Sequence, residues 1–267
     1  MNRILIILVL SVLFVNEMYA QVSIETQNFT PKGILSSIFK GEYQPEKKAQ
    51  KWPVSGVQAL EMGSYLDANL YAYTIIDTIL TTRIDTNDIK IVVLKTMLVD
   101  SSGWIQDCMG CAPQIGVAYF VKNNQRFELQ FFKLNLIVNG HGFYIPKSRT
   151  QQIGPSKYAF VLTEEVMQDQ GREFWFDMSN DFRGFLTYDF FSYIPAEQSS
   201  ILENSIEIIP TENEYFDFML RSKSTPTSEL ETGKAAKIKP VKTKLILNNM
   251  NVMQHVQMPF GYSIQNK

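Results

Sequence analysis

Alternation of apolar and polar residues along much of the chain predicts a protein built mainly from β-strands. The clearest strands are Tyr71 to Ile84 and Ile89 to Val99, which the turn residues Asp85-Thr86-Asn87-Asp88 separate. The same pattern recurs at 114–121, 126–138, 158–163, 173–178, 185–193, 205–209, 215–220 and 244–247. We therefore expect a mainly β fold, an antiparallel sandwich or barrel-like sheet with at most one or two short helices.

One predicted strand changes the face to which its apolar residues point. Lys122-Asn123-Asn124-Gln125 is typical of a hairpin turn, because asparagine tolerates a positive φ angle. In the strand that follows, apolar residues occupy odd positions up to Phe131 and even positions from Leu134 onward. Since side chains alternate strictly between faces, this change requires an extra residue, and we expect a bulge near Phe131-Phe132.

The remaining segments set the expected domain organisation. The best helix candidate is Val57 to Leu70, where leucines recur at helical spacing. Residues 21–51 are polar, contain proline and lack periodicity, so we expect an extended arm there. Residues 52–267 are then expected to form a single β-rich domain. Within it, 221–244 carries seven basic and two acidic residues and is expected to be a mobile loop.

The first 20 residues are typical of a signal peptide. Asn2-Arg3 supplies a positive start, Ile4 to Val15 is an apolar run, and Ala20 offers a small residue at a cleavage site. The run is shorter than the roughly 20 residues that a membrane span requires. We expect a secreted or periplasmic protein that has no transmembrane segment once the signal peptide is removed.

The overall charge argues against one class of partner. Lysine and arginine number 25 and aspartate and glutamate 27, which gives a net charge of −2. Because no global positive field is present to attract nucleic acid, we expect no nucleic-acid partner.

The two cysteines, Cys108 and Cys111, lie close together in a chain that is expected to be exported. A disulfide between them closes a loop of four residues and is worth only about 2 kcal/mol to stability, so it would shape a local turn. Thiol redox exchange and metal ligation stay open as alternatives. The two histidines, His141 and His255, would have to complete a zinc site, and the spacing gives no support for a metal or cofactor.

Aromatic and acidic residues are concentrated between Glu173 and Tyr193. Aromatic rings above a groove that is lined with carboxylates would suit a glycan, and paired carboxylates could hydrolyse one. The candidate ligand-binding residues are Trp175, Asp177, Asp181 and Asp189. The same alternation of rings and polar residues is also typical of paired sandwich strands, so a purely structural role stays open.

Sequence motifs of enzymes are absent, including the nucleophile elbow, the phosphate-binding loop and the zinc-protease helix motif. Two histidines also leave few general bases. We therefore assign no catalytic residue and expect a non-catalytic envelope or surface binding module, with a glycan or another envelope component as its ligand. The alternatives are a thiol-redox or metal-handling protein and a glycan-binding or glycan-hydrolysing protein.

A resemblance supports export and β structure. The turn Cys108-Met109-Gly110-Cys111-Ala112-Pro113, the Ile153-Gly154-Pro155 strand start with Tyr158, and Gln170-Gly171 resemble a loosely defined group of uncharacterised exported bacterial proteins. The likeness spans about 70 residues, from Cys108 to Asp177. It implies no activity.

Processing and cysteine oxidation can be tested together by intact-mass measurement. We expect protein recovered from the periplasm to begin at Gln21 and to resist alkylation until a reductant is added. Retention of residues 1–20, or thiols that react without reductant, would contradict these expectations.

Overall fold

The fold is mainly β, as the sequence predicts. The structure, a computed structural model, describes residues 22–54, 71–99, 113–138, 147–166, 170–194, 200–227 and 241–245. Within these ranges every strand pairing is antiparallel, and the strands form two seven-stranded sheets. Each sheet belongs to its own compact unit, the N-terminal unit Met1–Phe143 and the C-terminal unit Tyr144–Lys267.

The N-terminal unit is a meander of strands with one helix near its start. Its elements are β1 (Ser23–Glu25), α1 (Pro31–Ile38), β2 (Glu42–Gln44), β3 (Ala49–Pro53), β4 (Tyr71–Ile84), β5 (Asn87–Val99), β6 (Gln114–Asn123) and β7 (Arg126–Val138). The order across the sheet is β1-β7-β6-β5-β4-β3-β2. Both predicted turns are confirmed, since Asp85 and Asn124 each have a φ angle of 54° at the hairpin connections.

Local sequence signals determine where α1 begins. The Thr30 side chain accepts a hydrogen bond from the Gly33 amide at 3.2 Å, and Pro31 occupies the first helical position. One face of the helix buries Ile34 and Leu35 completely. At its end the Phe39 ring stacks on Trp52 of β3 with centroids 5.0 Å apart.

The N-terminal sheet curls around α1. The helix contacts β1 and β2, which are opposite edges of the sheet. Six strand spacings in a flat sheet would separate those edges by about 29 Å, which is far more than the 10–12 Å diameter of a helix. The concave face therefore encloses the core, in which α1 packs against the apolar side chains Ile24, Trp52, Ala72, Val92, Leu94, Ala118, Phe120, Phe127 and Leu129.

The predicted bulge in β7 is confirmed and lies at Gln130. Leu129 is opposite Phe120 and Phe131 is opposite Tyr119, so Gln130 has no partner on β6. This extra residue lets Phe127 and Leu129 before it, and Phe132 after it, pack against the same core.

The C-terminal unit is a continuous meander. Its strands are β8 (Lys147–Gly154), β9 (Lys157–Val166), β10 (Gln170–Asp177), β11 (Arg183–Ile194), β12 (Ser200–Ile209), β13 (Asp217–Pro226) and β14 (Val241–Leu245). They pair in chain order from β8 at one edge to β14 at the other. Strand β8 is an addition to the predicted set, because its polar sequence has no apolar alternation.

The C-terminal sheet also curls, as a contact between the β12–β13 connection and the end of β8 indicates. The Phe216 amide donates a hydrogen bond of 2.7 Å to the Ile153 carbonyl at the end of β8. Strand β13 lies five strands from β8, so a flat sheet would hold them about 24 Å apart. The core of this unit contains Ile153, Ala159, Val161, Trp175, Leu186, Tyr188, Tyr215, Phe218 and Leu220.

The domain organisation differs from the one that the sequence predicts. Residues 22–54 form α1 and three strands, where an extended arm at 21–51 is expected. These elements are too short for their periodicity to be visible, and their few apolar residues are nevertheless buried. The expected single domain 52–267 is divided after Phe143, since long-range pairing decides which strands share a sheet.

The basic segment 221–244 differs as well. Arg221 to Pro226 complete β13, and Ser222 and Thr225 are buried there. Residues 228–240 of that segment, the helix candidate Val57 to Leu70 and the leader 1–20 lie outside the described residues. In the ranges that the structure describes, no helix is long and apolar enough to cross a membrane.

Substitution of Gly33 by alanine tests the packing of α1. In most helices this change stabilises by about 1 kcal/mol. Here a Cβ atom on Gly33 would lie 2.1 Å from the Asn28 carbonyl oxygen, so we expect a loss of about 1–3 kcal/mol in the free energy of unfolding. Urea denaturation checks this, and Lys32→Ala, an exposed position on the same turn, should change little.

Candidate functional site

The densest polar cluster in the described residues surrounds Glu173 on the core-facing side of β10. Glu173 and Trp175 are two residues apart, so both point to the face that forms the core of the C-terminal unit. Thr163 of β9 and Tyr188 of β11 are the direct cross-strand partners of Glu173. Antiparallel register therefore brings three polar side chains together from three strands.

The Glu173 carboxylate accepts five hydrogen bonds from its described neighbours. Arg149 donates two of them, from Nη1 to Oε1 at 2.7 Å and from Nη2 to Oε2 at 3.1 Å. Thr163 Oγ1 donates to Oε1 at 3.2 Å. Trp175 Nε1 and Tyr188 OH donate to Oε2 at 3.0 Å and 2.8 Å. This arrangement satisfies both oxygens of a carboxylate whose side chain is only 11% exposed.

Arg149 connects the cluster to solvent. It lies on the edge strand β8, and its side chain remains 42% exposed. Its guanidinium carbon also lies 5.4 Å from the centre of the Trp175 ring, within range of a cation–π interaction. One face of the guanidinium group therefore covers the core while its paired N–H groups hold Glu173.

The environment keeps the carboxylate charged and the phenol neutral. Burial alone would raise the pKa of Glu173, but hydrogen bonds and charge from Arg149, with further hydrogen bonds from Tyr188 and Trp175, bring its pKa below the ordinary 4.5. Burial, and then the adjacent Glu173 charge, raise the pKa of Tyr188 well above 10.0. Glu173 is therefore an ionised acceptor and Tyr188 a neutral donor at physiological pH.

Trp175 lies in the core. Its side chain is 2% exposed, and its ring packs edge-on against Phe218 and Phe185, with centroids 5.8 Å and 6.3 Å away. A ring in that position has no face free for stacking on a sugar.

Asp177 supports a turn at the end of β10. Its Oδ1 accepts hydrogen bonds from the Ser179 amide at 2.9 Å and the Ser179 hydroxyl at 2.7 Å. Its Oδ2 accepts one from the Tyr215 hydroxyl at 2.7 Å. Burial and the Asp177 interaction raise the pKa of Tyr215 to about 12, so this contact also keeps a neutral phenol as donor. Asp177 thereby attaches the β12–β13 connection to β10.

The other candidate aspartates lie elsewhere. Asp189 pairs with Arg172, whose Nε is 2.7 Å from Oδ1. Arg172 and Asp177 occupy positions of opposite parity on β10, so Asp189 and Asp177 belong to opposite faces of the sheet. Asp181 is exposed in the turn before β11, with a φ angle of 48°. The four candidate residues therefore do not form one acidic groove.

The N-terminal unit holds a second polar pair within an apolar setting. Asp77 is the extra residue of a bulge in β4, because Ile76 and Thr78 pair with consecutive residues of β5. Burial raises the pKa of Asp77 and lowers that of Lys95, while the charge of each partner opposes the shift of the other. Neither residue carries a sequence motif.

The predicted cysteine pair and the possible histidine ligands are not among the residues that the structure describes. They are Cys108, Cys111, His141 and His255. The part of the chain that the structure describes contains no group of three or more histidine, cysteine, aspartate or glutamate residues able to hold a metal.

Arg149 and Tyr215 are among the cluster members that sequence reasoning misses. Arg149 is 24 residues from Glu173, and Tyr215 is 38 residues from Asp177. The sequence shows only an arginine in a polar segment and a tyrosine close to a predicted strand. Both features are too common to identify a site.

Comparison with known proteins does not assign this chain to a family. No family model, no curated protein and no solved structure matches this chain.

The Glu173 cluster can be tested by Glu173→Gln, which keeps the shape and removes the charge. Because the amide nitrogen of glutamine would face hydrogen-bond donors where a carboxylate oxygen now accepts them, we expect a loss of about 1–3 kcal/mol in the free energy of unfolding. The control is Glu207→Gln in the exposed Arg221 pair, which should cost about 1 kcal/mol or less. Equal losses in the two variants would contradict a special role for the buried pair.

Acid should destabilise the protein in part by protonating Glu173. Since the folded-state pKa of Glu173 lies below 4.5, its stabilising contribution is complete above pH 4.5 and is lost as the pH falls through the folded-state pKa. We expect Glu173→Gln to lose less stability than the wild type below pH 4.5, as measured by urea denaturation at stepped pH. Identical pH profiles would show that Glu173 does not carry this dependence.

Proposed function

We propose that the protein is an exported, non-catalytic binding module of the cell envelope or surface. The observation that supports this most directly is that structural contacts occupy both oxygens of the buried carboxylates Glu173 and Asp177. Glu173 accepts five hydrogen bonds and Asp177 accepts three from the residues that the structure describes.

Saturation of this kind is unfavourable for acid–base chemistry. A general acid must hold a proton near the working pH, and a lowered pKa prevents Glu173 from doing so. A nucleophile needs a lone pair directed at substrate, whereas each oxygen of Glu173 and Asp177 already faces a donor. The adjacent tyrosines, with raised pKa values, remain neutral and cannot act as bases.

Glycan hydrolysis fits the geometry poorly. It needs two carboxylates on either side of one bond, about 5–10 Å apart. Asp177 and Asp189 occupy opposite faces of the sheet, and Trp175 lies in the core. Binding on an outer surface of either unit is the better supported role, with a glycan or another envelope component as ligand.

A turnover assay separates binding from catalysis. We expect the protein lacking residues 1–20 to leave a panel of envelope and extracellular polysaccharides intact, by reducing-end measurement, because its buried acids Glu173 and Asp177 are held in structural contacts and Asp189 lies on the other face of the sheet. Asp189→Asn and Asp181→Asn should leave any polysaccharide affinity found by calorimetry unchanged. Turnover that disappears in either variant while thermal unfolding stays normal would overturn the proposal in favour of a hydrolase.

A further inference from the structure

The net charge of −2 conceals a local basic surface at one edge of the N-terminal sheet. The β2–β3 hairpin connects its strands through residues 45–48, and β2 is the edge strand. Between residues 40 and 51 the chain carries four lysines and two glutamates, an excess of two positive charges. Lys47 and Lys48 are exposed in the turn of this hairpin.

Two of these lysines are held by tyrosine rings. Lys47 Nζ lies 4.5 Å from the Tyr73 ring centre and donates to the Tyr73 hydroxyl at 3.3 Å. Lys51 Nζ lies 4.4 Å from the Tyr71 ring centre. Tyr71 and Tyr73 are two positions apart on β4, so they share one face. Contact with the rings orients the ammonium groups before any partner arrives, which reduces the entropy lost on binding.

No carboxylate in the described ranges forms an ion pair with these ammonium groups, those of Lys47, Lys48 and Lys51. Lysines elsewhere in those ranges do form them, namely Lys122 with Asp88, Lys157 with Glu214 and Lys223 with Glu203. The hairpin therefore presents hydrogen-bond donors outside close ion pairs and a net excess of positive charge, with Glu42 opposite Lys51 in the register as its nearest cross-strand acid.

The exposed aromatic surface lies beside the same charges. Tyr71 is 36% exposed, more than any other large apolar side chain in the described ranges. Tyrosine is favoured at the boundary between hydrocarbon and water, where its ring contacts apolar groups and its hydroxyl faces water. Lysine next to it can lay its methylene stem along the ring and direct its ammonium group at phosphates.

From these contacts we propose that the hairpin patch, formed by Lys47, Lys48, Lys51, Tyr71 and Tyr73, docks the protein on an anionic phospholipid surface. An acidic polysaccharide fits less well, because stacking on a sugar needs an open ring face, whereas Tyr73 is only 7% exposed and the Lys51 ammonium group lies 4.4 Å from the Tyr71 ring centre. This inference names the partner of the proposed binding module and so rests on the proposed function.

Vesicle co-sedimentation of the protein lacking residues 1–20 tests the inference. We expect binding to vesicles of three parts phosphatidylcholine to one part phosphatidylglycerol, and none to phosphatidylcholine alone. Binding should be weaker at 1 M than at 0.1 M NaCl, because the screening length falls from about 10 Å to about 3 Å. Tyr71→Ala should weaken binding at both salt concentrations.

Two matched triple variants separate the patch from the overall charge. Lys47→Gln, Lys48→Gln and Lys51→Gln together should lower vesicle partitioning roughly 100-fold, since each lysine near an anionic surface contributes about fivefold. The control changes Lys122, Lys157 and Lys223 to glutamine, which alters the net charge equally, and should retain binding. Lys48→Glu alone, at an exposed turn position, should also weaken binding and guards against misfolding of the triple variant.

Three outcomes would overturn the inference. They are equal losses in both triple variants, binding of wild type to phosphatidylcholine alone, and binding to soluble alginate but not to the mixed vesicles. Polysaccharide turnover, by contrast, would contradict the proposed function without affecting the vesicle result, so the two failures can be distinguished.

Discussion

Curvature of the two antiparallel sheets is the constraint from which the rest of the structure follows. A curled sheet has a concave face that must be filled, since a void forfeits both apolar burial and packing contacts. In the N-terminal unit the filling is α1, with Ile34 and Leu35 completely buried. In the C-terminal unit it is a cluster of aromatic rings around Trp175, bordered by the ion pair of Arg149 and Glu173.

β-Bulges produce much of the strand bending that curves the two sheets. In the N-terminal sheet the extra residues include Asp77 in β4 and Gln130 in β7. In the C-terminal sheet they include Phe185 and Phe190 in β11. Each bulge increases the local twist and redirects the side chains after it. The Phe190 ring packs directly against Gly171, where a Cβ atom would lie 2.2 Å from the ring tip, so a larger residue at this position would displace the ring.

The Glu173 cluster is best understood as a polar group that the curled core can tolerate. A buried carboxylate is costly unless charge and hydrogen bonds compensate it, and here the donors come from its own strand, the two neighbouring strands and the edge strand β8. Such a network favours one register of β8, β9, β10 and β11 over its alternatives, because a shift of one residue would turn Glu173 to the other face. Its value to the protein is thus the specificity of the fold.

Strand prediction succeeded where periodicity is local. The bounds of β4 and β7 match the predicted ones, and the change of phase near Phe131 correctly indicates a bulge. The candidate site was less predictable. Trp175 and the three aspartates all lie between residues 175 and 189, yet side-chain alternation and turns place them in the core, in a turn and on the opposite face of the sheet. Arg149, which contacts Trp175, and Tyr215, which contacts Asp177, come from an edge strand and a connection that no local pattern links to them.

The amino-acid sequence by itself determined the strand-rich fold class, the hairpin turns and the position of one bulge, because backbone preference and side-chain alternation act over a few residues. Tertiary structure alone decided that the strands divide into two sheets, that residues 22–54 supply a core helix, and that lysines of the β2–β3 hairpin meet tyrosines of β4. The physical reason is that pairing, burial and charge compensation join residues far apart in the chain, and their free energies depend on distances that only the folded protein establishes.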